Sequence, residues 1–132
     1  MDLKIGNFKY VSNGKLDAFT QLHIARKLGP AFPMVEGLVD KENLSKDKTL
    51  LMVVALSRLN DADTEYVVKK SLGVVSRIGS DGQPFIIQTR EGHLMFDDLV
   101  LSDILKITIE VLEENLGDFF RGALSALTQK EA

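Results

Sequence analysis

Apolar positions change their period several times along the chain, and each change marks a candidate element. Residues 3–12, LKIGNFKYVS, alternate apolar and polar about the turn-forming pair Gly6-Asn7, and a second such pair follows at Asn13-Gly14. This predicts a β-hairpin over 3–12, with Leu3 and Ile5 on one arm and Phe8, Tyr10 and Ser12 sharing a face of the other. The period then lengthens. Asp17 can cap a helix through FTQLHIARKL, because its carboxylate accepts the free amides of the first turn, and Phe19, Leu22, Ala25 and Leu28 supply an apolar stripe. Gly29-Pro30 and Pro33 stop that helix, since proline lacks the amide and clashes with the preceding turn. Residues 34–48, around KENLSKDK, read as a short helix and a polar loop.

From Thr49 the run LLMVVALSRL is apolar almost all round, which predicts a central buried helix, although composition alone would also allow a strand. Asp61 offers a cap for the next helix, ADTEYVVKKSLGVVSRI, on which Val68, Leu72 and Val75 share a face, so a helical body is expected over 16–78. Gly79 to Gly82 marks a turn. QPFIIQT followed by REGHLMF reads as a second hairpin over 83–96, with Phe85 and Ile87 facing one way and Pro84 at an edge or strand start. Ser102 can cap a C-terminal helix over 102–127 that continues through Gly117. The expected class is therefore α+β and mostly helical: a single domain with four to five helices and two short β-hairpins.

Plotted at about 100° per residue, the last helix carries two apolar stripes. The wide one is Leu105, Ile109, Leu112, Leu116 and Phe119, extended by Phe120, Ala123 and Leu127; the narrow one, on the opposite side, is Ile104, Ile107 and Val111. One stripe satisfies the domain's own core, so the other must be covered by a further part of the fold or by another chain. Glu110, Glu113, Glu114 and Asp118 form a continuous acidic sector, with Leu116, Phe119 and Phe120 beside it. The candidate partner-binding set is thus Leu112, Leu116, Phe119 and Phe120 with an acidic rim of Glu110, Glu113, Glu114 and Asp118.

Length and composition agree with one folded domain: 132 residues, 45% hydrophobic and 27% charged. There is no cysteine, which removes disulfides and thiolate metal sites and fits a reducing compartment. The N-terminus has no apolar core behind a basic stretch, and no window approaches the roughly 20 apolar residues of a membrane span, so a soluble protein of the cytoplasm is expected. The net charge of -3 conceals an asymmetry: residues 1–60 carry nine Lys/Arg against six Asp/Glu, and residues 61–132 carry seven against thirteen. Between Asp97 and Asp118 lie seven acids and one cation, Lys106. Such a segment repels phosphate and argues against nucleic acid as a partner. It reads either as a solvated helix face or as a docking surface for a basic partner.

Catalytic chemistry has little to work with. The only histidines are His23 and His93, neither of them in an HxxxH pair, and there is neither a Gly-x-Ser-x-Gly elbow nor a GxxxxGK[ST] phosphate loop. Glu91, His93, Asp97 and Asp98 are the one set that could hold a divalent cation, but Asp97-Asp98 are as well explained as turn residues before a helix. No catalytic residue, metal or cofactor is expected.

KLDAFTQLHIARKL near the N-terminus, and LMFDDL followed by ENLGDFF near the C-terminus, resemble the tail assembly chaperone family of long-tailed bacteriophages. The resemblance covers about half of the chain and rests on packing signatures, with residues 34–80 undiagnostic. It implies a non-enzymatic phage or prophage protein of the host cytoplasm that coats the tape measure protein and helps the tail tube polymerise around it without remaining in the virion. The tape measure protein, the tail tube protein and further copies of the chain itself are the implied partners, and such families often also make a longer frameshifted product. Two alternatives stay open from the residues: a small acidic secretion-type chaperone or adaptor, and a metal-dependent hydrolase built on His93, Asp97 and Asp98.

Overall fold

The structure is a computed structural model that describes residues 1–31 and 48–130, with side chains described for 1–31 and 52–119. The short helix and loop expected over 34–48 lie, except for Lys48, outside the described residues. In chain order the elements are β1 (Asp2–Ile5), β2 (Phe8–Ser12), α1 (Ala18–Leu28) with a 3-10 turn at Gly29–Ala31, α2 (Lys48–Ser57), α3 (Asp61–Leu72), β3 (Val75–Ile78), β4 (Pro84–Ile86) and α4 (Leu101–Lys130). The four strands form one antiparallel sheet in the order β1-β2-β3-β4. Helices α1 to α3 are inserted between its two central strands, and α4 packs against α1, α2, α3 and β1.

The first hairpin forms as its pattern predicts. Gly6, at φ 59°, takes the left-handed conformation its two-residue turn requires, and Leu3↔Tyr10 and Ile5↔Phe8 pair across it. The second hairpin falls elsewhere. Gly73 ends α3, its N–H returning to the Lys69 carbonyl, and the β-branched run that follows becomes β3, so the helical body does not reach residue 78. β3 pairs with β4 across Gly79–Gly82, and the expected 83–96 hairpin is reduced to an isolated bridge between Gln88 and Leu94. Pro84 does open an edge strand, where a missing donor costs no ladder bond. Because β4 stops at Ile86, Phe85 stays 51% exposed while Ile87 is buried.

Three helix details also shift. Asn60, not Asp61, caps α3: its Oδ1 accepts the Asp63 amide at 2.7 Å, which leaves Asp61 in the first turn. α2 is a helix and not a strand, with Met52, Ala55 and Leu56 in the core, yet Val53 is 40% exposed, so it is not buried all round. Ser102 is the second residue of α4 and not its cap. Asp103 instead reaches back to accept the Val100 amide at 3.2 Å. α4 then runs unbroken through Gly117 to Lys130, about 45 Å at the standard rise. Both of its stripes are buried in the first half: Ile107 and Val111 on one side, Ile109, Leu112 and Leu116 on the other. The narrow stripe is therefore covered by the domain itself, because the sheet and helices close around α4.

Arg77, on β3, is the polar centre of the sheet. Its guanidinium donates from Nη2 to Asp98 Oδ1 at 2.8 Å and to the Tyr10 hydroxyl at 2.7 Å, and from Nη1 to Asp98 Oδ2 at 3.2 Å. It lies 3.9 Å and 4.1 Å from the ring centroids of Phe8 and Phe96, a stack suited to a planar cation. Nε is buried and has no hydrogen-bond partner among the described residues. Burial alone would pull the Arg77 pKa down, but the bonds to Asp98 and Tyr10 outweigh it and raise it. The bond from Arg77 holds Asp98 below its ordinary value.

Two outcomes follow from this cluster. Arg77→Ala strands the buried Tyr10 hydroxyl and removes the stack, so urea unfolding should lose about 2–4 kcal/mol of stability; a loss under about 0.5 kcal/mol would show the cluster to be dispensable. Because the folded pKa of Asp98 is depressed, its contribution is complete above the unfolded value of about 3.9 and is lost as pH falls through the folded value. The stability gap between wild type and Asp98→Asn should accordingly hold from about pH 7 to 5 and narrow below about pH 4. A gap independent of pH down to acid unfolding would contradict the assignment.

Candidate functional site

The predicted partner-binding residues do not form one surface. Leu112 and Leu116 belong to the core, at 0% and 5% exposure, and are unavailable to a partner while the domain is folded. Phe119 is 56% exposed, and the Phe120 side chain lies outside the described set. Of the rim, Glu110 and Asp118 are exposed and Glu113 is half-buried, while Glu114 accepts the N-terminal amine of Met1 at 2.9 Å. The acidic sector thus persists on the outside of α4, but the two leucines that were to accompany it serve the interior.

α1 carries the surface that the pattern did not assign. Thr20, Ile24 and Leu28 face the core, and Phe19 and Leu22, from the expected apolar stripe, stand 76% and 52% exposed. The cause lies at the cap. Asp17 accepts the Thr20 amide at 2.8 Å and the Thr20 hydroxyl at 3.0 Å, so this threonine can be buried with its polar groups satisfied. Thr20, Ile24 and Leu28, four apart, then form an inward stripe that a count of apolar letters misses. The bond to the Thr20 amide, helped by the hydroxyl, keeps the Asp17 carboxyl below its ordinary range.

The two helices meet beside these residues. The Leu16 amide donates to Asn115 Oδ1 at 3.0 Å, Asn115 Nδ2 donates to the Val111 carbonyl, and Gln21 Nε2 donates to the Leu16 carbonyl. Phe119 follows Asn115 by one turn on α4, whereas Phe19 lies on the face of α1 turned away from Thr20, Ile24 and Leu28. On the far side of α1, His23 meets the edge of Tyr66, and Lys27 bonds Asp63 at 2.9 Å while lying 4.9 Å from the Tyr66 ring. These contacts hold α1 on α3. Phe19, Leu22 and Arg26 remain within an arc of about 60° on its outer face.

A second apolar patch lies at the open end of the sheet. Phe8, Phe85, Ile86 and Met95, each 40% to 51% exposed, surround a groove with Arg77 and Phe96 in its wall. Edge contacts limit what could pair there: Pro84 has no donor, and the Ile87 carbonyl already accepts the Met95 amide at 2.9 Å.

The carboxylate and histidine set does not converge. Asp98 is committed to Arg77, and among the described residues no group of three or more His, Asp or Glu side chains is placed to hold a metal ion. Among those residues, too, no helix is long and apolar enough to cross a membrane.

What the fold displays, then, is a small α+β domain with apolar side chains exposed on α1, at Phe19 and Leu22, and on α4, at Phe119. The sequence matches the family described as phage tail assembly chaperone protein, TAC, over residues 7–128, and the chain belongs to that family. No curated protein and no solved structure matches it.

Placement of these residues yields a direct test. Leu112→Ala should cost about 2–5 kcal/mol of stability, as truncation in a packed core does. Phe19→Ala and Phe119→Ala should each stay within about 0.5 kcal/mol of wild type, as exposed positions do. Equal losses at all three, measured by thermal or urea unfolding, would place the two rings in the interior.

Proposed function

We propose that this protein is a non-enzymatic chaperone that binds the tape measure protein in the host cytoplasm, aids assembly of the tail tube around it, and is not retained in the virion. Family membership over residues 7–128 is the observation that carries the reading. Exposed apolar side chains on α1 and on α4 support a means. A tape measure chain is long and apolar-faced before the tube closes on it, and a small domain with exposed Phe19, Leu22 and Phe119 can cover it reversibly.

Helical geometry at that surface favours a helical ligand. Both α1 and α4 satisfy their own backbone groups, so an extended segment laid across them would leave its amides and carbonyls without protein partners. A helix brings its backbone already bonded and needs to offer only an apolar ridge. The acids outside α4, Glu110 and Asp118 among them, would favour Lys or Arg flanking that ridge. Glu113 lies in the same sector and Glu114 is paired with the N-terminal amine of Met1, whereas Leu112 and Leu116 would support the surface from beneath.

Co-expression with the tape measure protein separates binding from folding. Phe19→Ala and Phe119→Ala should keep the wild-type melting temperature while the yield of soluble tape measure protein falls. Loss of a buried interfacial Phe costs on the order of 2 kcal/mol, roughly thirtyfold in affinity. An unchanged yield with both variants would exclude this surface.

Coating a long chain calls for several copies, and self-association follows from the same exposed side chains. Sedimentation should reveal species above 14.6 kDa between micromolar and millimolar protein. A monomer throughout that range would rule out a self-associating chaperone.

A further inference from the structure

We draw no further inference here: the strongest candidate, the groove at the open end of the sheet where Phe8, Phe85, Ile86 and Met95 stand exposed around Arg77, is an unpartnered apolar face, and nothing in the structure shows what covers it.

Discussion

The Arg77 guanidinium is the point on which the sheet and the last helix depend together. It joins β3 to β2 through the Tyr10 hydroxyl and reaches Asp98 in the segment that leads into α4, all from one side chain that is 95% buried. Desolvating a cation is expensive, and a well-packed apolar residue could fill the same volume at less cost. What an apolar residue could not do is fix direction. Two parallel bonds to one carboxylate determine both the distance and the orientation of residue 98, and the rings of Phe8 and Phe96 hold the plane in which those bonds are made. α4 starts three residues later, so its course through the domain is set where the sheet is most rigid.

That course explains why so little of α4 is left over. Enclosed by β1 and three helices, it buries Ile107, Thr108, Ile109, Val111 and Leu112 almost consecutively, which a helix can do only when it is covered on every side but one. Thr108 fits because its hydroxyl returns to the Ile104 carbonyl at 2.8 Å. The outward strip that remains is largely charged. The exposed apolar side chains therefore lie outside the enclosed stretch: Val100 and Leu101 where α4 begins, Phe119 near its exit, Phe19 and Leu22 on α1, and those around the groove of the sheet.

Sequence pattern was informative where one physical cause acts alone. The Gly6-Asn7 hairpin, the Asp17 cap, the Gly79–Gly82 turn and the long last helix each depend on local chemistry, and each is legible in the residues that make it. It failed where a distant partner decided. GVVSRI continues a helical spacing, and only the antiparallel alignment of Val75–Ile78 with Lys9–Ser12 makes it a strand, although Gly73 before two valines was an available signal. In α1 the letters Phe19, Leu22 and Ala25 outweighed Thr20, because nothing in a hydropathy pattern records that Asp17 satisfies the threonine. The candidate site was least legible: Leu112 and Leu116, read as partner-binding, belong to the interior, and Phe19, read as part of the apolar stripe of α1, stands exposed.

The way the sheet ends bears on what kind of partner such a domain can handle. A chaperone that exposes strand edges risks pairing with its own copies or with any unfolded chain. Here β1 carries exposed Lys4 on its open edge, and β4 is three residues long and begins with a proline that cannot donate. Beyond β4, the Ile87 carbonyl is already occupied by Met95. Backbone pairing is thus restricted at both edges, whereas apolar side chains are displayed on helices whose own hydrogen bonds are complete. Contacts at these helices would therefore run through side chains and not through an added strand, which suits the reversible covering of a partner proposed above.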